Sequence, residues 1–194
     1  MKDHPLSVAA LGLASVLICN SAHAAAFFDI ELGAPFSMRE CVAGDFGTFD
    51  RPINVCTTMR EKTVHPWGSV THSVHLVGSA DQRGINEIFV TEYKDVVVKM
   101  RAVTYGEPSQ GQVLLDLITK FGPATTGARV PVEDAFRARY VKIVANWNKP
   151  GFTVKFRGTA DSRNDGEIIV STKQALEESR AGDAWRAKNR PSKM

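Results

Sequence analysis

The stretch "PSQGQVLLDLITKFGP", Pro108 to Pro123, decides how the rest of the chain is read. Ser109 and Gln112 have the spacing of a capping box, and Val113, Leu114, Leu117, Ile118 and Phe121 fall on one helical stripe. Lys120 suits the negative C-terminal end. Gly122 can take a left-handed cap, and Pro123 bars continuation. An amphipathic helix is expected here, and its apolar stripe needs an apolar surface to cover.

The segments on either side supply one. In "SVTHSVHLVG", Ser69 to Gly78, Val70, His72, Val74 and Leu76 share one face. Ile88 and Val90 alternate with Glu87, Phe89 and Thr91. Val96, Val98, Met100 and Ala102 share a face from which Lys99 and Arg101 point away. Downstream, Val141, Ile143, Ala145 and Trp147 fall together, as do Phe152, Val154 and Phe156, with Lys155 and Arg157 opposite; "EIIVST" reads as a further strand. Period-two alternation of this kind marks half-buried antiparallel strands.

A second S-x-x-E box, Ser37 with Glu40, predicts a short helix that stops near Gly44 and carries Cys41. Residues 44–68 read as irregular, residues 124–139 as a loop with one helical turn at "VEDAF", and "GTADSRNDG" as a loop. The order is then helix, loop, three strands, stated twice, with a helix and basic tail over 173–194. The expected fold is α+β: an antiparallel sheet packed against helices on one face. It forms a single domain over 25–172 that reads as a tandem repeat of 27–105 and 106–172.

The N-terminus begins with Lys2, runs uncharged from Leu6 to Ile18, and reaches the small-x-small triplet Ala22-His23-Ala24. This is the form of a secretory signal, with cleavage expected near Ala24. Cys19 follows the bulky Ile18, which argues against a lipid attachment site. Lys2 and Asp3 cancel, so the net charge of +3 is the same with or without the leader. That mild positive balance gives no footprint for nucleic acid. In an exported chain the two remaining cysteines, Cys41 and Cys56, are expected to form a disulfide. Such a bridge would stabilise the fold by about 3 kcal/mol in the chain-entropy model. A zinc site needs about four ligands, and none cluster near this pair.

The run "QVLLDLITKFGPATT", the strand ending in Trp147, and then "FTVKFRG" and "GEIIVST" resemble a repeat of small exported proteins. These are the β-lactamase-inhibitor-protein-like domains and the small outer-membrane assembly lipoproteins. Phe121-Gly122-Pro123 stands at the family's turn and Trp147 at its central tryptophan. The resemblance covers roughly residues 108–172 and, more weakly, 32–104; the long segment between Pro123 and Tyr140 departs from it. It implies an antiparallel sheet and a tendency toward protein binding, and carries over no inhibitory loop residues.

Motifs for chemistry are sparse. His72 and His75 face opposite sides of a strand and cannot easily share a metal; His72, among apolar neighbours, reads as a hydrogen-bonded core histidine. "DSRNDGE" has the outline of a calcium loop, but Arg163 stands at a ligand position and Thr172 where a bidentate glutamate belongs. Asp165-Gly166 instead reads as a hairpin turn. No metal or cofactor is expected. The outward residues Lys99, Arg101, Lys142, Lys155 and Arg157 are predicted to form a cationic stripe that could receive an acidic protein surface, glycan or phospholipid headgroup. Arg180, Arg186, Lys188, Arg190 and Lys193 oppose Asp183 alone in the tail, a second place to meet an anionic surface. The expected function is an exported, non-catalytic binding or accessory protein of a bacterial-type cell envelope. A small periplasmic hydrolase with an unfamiliar site is the alternative.

Overall fold

The computed structural model describes residues 26–28, 30–42, 54–77, 84–133 and 137–190. The expected leader, Cys19 and the Gly44 stop lie outside them. A small hairpin of β1 (Ala26–Phe27) and β2 (Ile30–Glu31) comes first. The strands β3 (Asn54–Val64), β4 (Ser69–Val77), β5 (Ile85–Tyr93) and β6 (Val96–Thr104) precede helix α1 (Gln110–Phe121). Then come β7 (Thr126–Glu133), β8 (Arg139–Lys149), β9 (Phe152–Ser162) and β10 (Asp165–Thr172), followed by helix α2 (Gln174–Lys188).

These eight strands form one antiparallel sheet in the order β3-β4-β5-β6-β10-β9-β8-β7. The repeating unit is therefore a four-strand meander followed by a helix, not the expected helix, loop and three strands. The two meanders meet through their last strands, β6 against β10, with Met100 opposite Val170.

The difference lies in the edge strands. β3 (NVCTTMREKTV) occupies much of the stretch read as irregular, and β7 (TGARVPVE) much of the second loop. Neither shows clean alternation, because an edge strand can leave polar side chains in water on both faces. Pro131 is tolerated in β7 because that strand has a neighbour on one side only. β9 likewise extends through "GTADS", so the turn to β10 falls at Arg163-Asn164 rather than at Asp165-Gly166.

The expected helix at Ser37 is not formed over residues 35–42. Phe36 and Met38 instead pack against the core at alternate positions, with Ser37 and Arg39 exposed. The Cys41 amide donates to Thr57 O at 3.0 Å, and the Thr57 amide donates to Arg39 O at 3.1 Å. This makes a parallel bridge of Glu40 with Thr57 beside β3. Apolar contact and ladder bonds win over a local capping signal. Cys41 and Cys56 are joined, with Cα atoms 5.0 Å apart.

The apolar face is built by register. One row runs Val74, Ile88, Ala102, Ile168, Phe156, Ala145, and the next His72, Val90, Met100, Val170, Val154, Trp147. All but His72 are buried. Fully burying a large apolar side chain is worth about 1.5–3 kcal/mol, so these rows are the main source of stability. α1 covers the second meander with Val113, Leu117 and Phe121, while Ile30, Leu32, Phe36 and Met38 from the N-terminal segment pack on the same core. Trp147 Nε1 donates to Gly122 O at 2.7 Å, tying the end of α1 to the C-terminal part of β8.

The capping box predicted for α1 is not made. Ser109 Oγ donates back to Gly106 O, and Gln112 donates to Asp116 on the helix surface. Leu115 and Ile118 remain exposed.

The two helices do not share a face, against expectation. The buried residues of α2 are Glu178 and Gly182. A helix with so polar an inner side has nothing to offer an apolar core. It lies instead against Ser69, Thr91 and Lys99, which alternate with the core residues and face the other way.

Candidate functional site

Strand alternation fixes the polar face as firmly as the core. Its rows are Thr71, Thr91, Lys99, Ser171, Thr153; then Ser73, Phe89, Arg101, Ile169, Lys155, Asn146; then Glu87, Val103, Glu167, Arg157, Val144. Lys142 follows two residues before Val144 on β8 and points the same way. All five cations singled out from the sequence therefore stand on one face.

Their surroundings differ. Glu167, only 3 % exposed, lies between two of them. Arg101 Nε donates to its Oε2 at 3.1 Å, and Arg157 grips its Oε1 through both Nε and Nη2. The Arg101 guanidinium also sits 6.0 Å from the Phe89 ring centroid. Lys99 is drawn to Glu178, 3.6 Å from its Oε2. Lys142 and Lys155 have no ion-pair partner among the described residues. The uncovered part of the face thus carries four cations, one buried carboxylate in their midst, and half-buried apolar groups at Phe89, Val103, Val144 and Ile169.

Under α2 the same face forms an open pocket of about 260 Å³. Its floor is Thr71, Thr91 and Lys99, and its roof includes Glu178, Ser179 and Gly182. One wall comes from the turn between β3 and β4. There His65 stacks on Trp67 with ring centroids 4.6 Å apart, and Arg186 from α2 lies over Trp67 at 5.3 Å. Trp185 tilts against Trp67 at 5.9 Å. Gly182 permits this approach, since a Cβ there would stand 3.2 Å from Trp67 Cε2.

Glu178 is the hinge of the arrangement. It is 6 % exposed, and its Oε1 accepts from Trp67 Nε1 at 2.9 Å and from Ser69 Oγ at 3.0 Å. Burial by itself would push its pKa up. The Trp67 hydrogen bond, the charge of Lys99 and the Ser69 hydrogen bond together outweigh that and hold the carboxyl below its ordinary range.

On the apolar side, His72 Nε2 meets Glu92 Oε2 at 2.9 Å and stacks on Phe36 at 4.2 Å, while Phe36 N donates to Glu92 Oε1 at 3.3 Å. His72, expected to be a hydrogen-bonded core histidine, is hydrogen-bonded but lies only half-buried at the margin of the core. Among the described residues no group of three or more His, Cys, Asp or Glu is placed to hold a metal ion, and no helix is long and apolar enough to cross a membrane.

Trp67, Glu167 and Glu178 did not stand out in the sequence. Trp67 and Glu178 are 111 residues apart, and Glu167 is 66 residues from Arg101, although Arg157 is only 10 away on the next strand. The only local sign was the turn-forming "HPWGS", which marks a bend without saying what meets it.

No family model and no curated protein matches the chain. Among solved structures it is similar to a DUF4309 family protein, YjgB of Bacillus subtilis subsp. subtilis str. 168. The two are 16 % identical over 71 % of this chain and 82 % of that one, with a TM-score of 0.28. A likeness of that size carries no argument about fold or function.

Proposed function

We propose that this is an exported, non-catalytic binding or accessory protein of the cell envelope, and that its working surface is the uncovered polar face of the sheet. The partner is an acidic segment of an envelope protein. The observation that carries this reading is the gathering of Arg101, Lys142, Lys155 and Arg157 on one face, with Glu167 as the carboxylate set among them. Interleaved Phe89, Val103, Val144 and Ile169 add apolar contact to the charge. Export is supported by the N-terminal leader and by a bonded cysteine pair, and the family resemblance favours protein binding.

Lys142 and Lys155 are the residues to change, because each can be altered without breaking an ion pair among the described residues. Charges of this kind chiefly set encounter rate and salt dependence. The test is photo-crosslinking of the purified mature chain in envelope extract at low and high salt, comparing wild type with Lys142→Glu/Lys155→Glu. A band captured at low salt, lost at high salt and lost in the variant supports the proposal. Equal capture by both proteins at both salt levels overturns it. Retention of the full-length precursor in the cytoplasm on fractionation would overturn the assignment to the envelope.

A further inference from the structure

The cavity beneath α2 has an excess of hydrogen-bond donors that the fold does not use. The Lys99 ammonium has three protons to give and, among the described residues, one ion-pair partner, Glu178 Oε2 at 3.6 Å. Thr91 is 5 % exposed and its hydroxyl has no hydrogen-bond partner among the described residues, although it lines the cavity floor. Ser179, an exposed residue, presents a second hydroxyl from the roof. Arg186 gives one nitrogen to Asp183 Oδ1 at 2.8 Å and keeps the rest of its fork at the rim.

The acceptors run the other way. Glu178, the carboxylate of the lining, is already spent on Trp67, Ser69 and Lys99. Lys99 and Arg186 are the two cations of the lining, each with one carboxylate beside it, Glu178 and Asp183. These donors face the open space of the pocket, where an acceptor on a ligand can take the place of water.

We propose that this cavity binds a small oxyanion, the carboxylate or phosphate group of a compound of metabolite size, held by Lys99 and Thr91 with Ser179 and Arg186 closing over it. The volume of about 260 Å³ sits just below the usual range for drug-sized ligands, about 300–1,000 Å³, and so selects a compact molecule. The Trp67 ring already carries His65 and Arg186, so the indole shapes the wall and is not a stacking platform for the ligand. This site is separate from the uncovered face proposed above, and either could exist without the other.

The experiment is a titration of the mature protein with inorganic phosphate and, separately, succinate. It follows the indole N–H resonances by NMR, since the Trp67 N–H bonds to Glu178 at the cavity wall. The expected result is a saturable shift of the Trp67 signal with at least one anion, while Trp147 stays still. Thr91→Val, which keeps the shape of the side chain, should weaken binding by about tenfold, the usual weight of a hydrogen bond to a charged group. Lys99→Met should abolish it, and Lys155→Glu should leave it unchanged. A response to phosphate alone assigns a phosphoryl ligand, and to succinate alone a carboxylate. No saturable shift with either anion, or equal affinity in wild type and Thr91→Val, overturns the proposal.

Discussion

The side chain of Gln110 occupies the space where a side chain on Gly158 would have to stand. A Cβ on Gly158 would fall 2.2 Å from Gln110 Oε1. The buried amide has gone there to complete the sheet. Its Nε2 donates to Val141 O at 2.7 Å, and its Oε1 accepts from Ile143 N at 2.9 Å. In the register of β8 with β9 the pairs run from Lys149–Phe152 to Val144–Arg157, and beyond them Gln110 serves as a peptide group inserted from the helix. Gly158→Ala should therefore destabilise by about 1–3 kcal/mol through overpacking. Gln110→Ala strands two backbone groups and should cost a similar amount. The double variant should lose less than the sum, because the shorter side chain removes the clashes with Oε1 and Cδ and leaves only its own Cβ, 2.8 Å away, to give. Urea unfolding of the three proteins decides it; strict additivity would mean that the two residues do not contend for one space.

Glu178 sets a pH dependence whose sign follows from its lowered pKa. A carboxyl depressed on folding adds stability above its unfolded value, near the ordinary 4.5, and that stability is lost as pH falls through the lower folded value. Thermal unfolding from pH 7 to pH 3 should show wild type losing stability below about pH 4.5. Glu178→Gln should be less stable at neutral pH and lose less on acidification. Parallel curves for the two proteins would remove Glu178 as the source.

Glu167 and its two arginines should respond unequally to substitution. Arg101 and Arg157 are close to half exposed, so Glu167→Gln leaves both able to turn to water at small cost. Arg101→Ala/Arg157→Ala leaves a buried carboxylate with neither partner, a penalty of about 3–5 kcal/mol when burial is complete. Chemical denaturation should rank the double arginine variant as clearly the less stable. The reverse ranking would mean that Glu167 is better hydrated than its burial implies.

Cys41 and Cys56 should be found joined by mass spectrometry of unreduced peptides from protein recovered in the envelope fraction, as the proposed export requires. Removing the bridge with Cys41→Ala should cost about 2–4 kcal/mol. Free thiols on both residues in the exported protein would reject the pairing.

What the sequence made legible was whatever repeats over a few residues. The core rows through Val90, Met100, Val154 and Trp147 follow from alternation. So does the common face of Lys99, Arg101, Lys142, Lys155 and Arg157, because neighbouring strands in a continuous sheet share their two sides. The Ser37 box misled because a capping signal is worth about 1 kcal/mol, less than burying Phe36 and Met38 beside a ladder. β3 and β7 were missed because edge strands need no periodic apolar side. The contacts of Glu178 join a turn after β3 to the last helix, and no local pattern encodes where that helix comes to rest. Its polar inner side was nonetheless written in "QALEESRAGDAWRAK", where few apolar residues recur at helical spacing.

The order of the sheet has a consequence for the timing of synthesis. Each meander is made of neighbours in the chain, so its hairpins can close as soon as they are made. The centre cannot. β6 waits for β10, the last strand of this sheet in chain order, and Met100 meets Val170 only once the seven strands before β10 have been made. Until then the inner edge of the first meander presents open N–H and C=O groups along Val96–Thr104, a template on which any passing strand could pair. The growing chain is therefore most exposed to the wrong neighbour at what will become the best protected part of the finished molecule, and that hazard ends only as Asp165–Thr172 emerges.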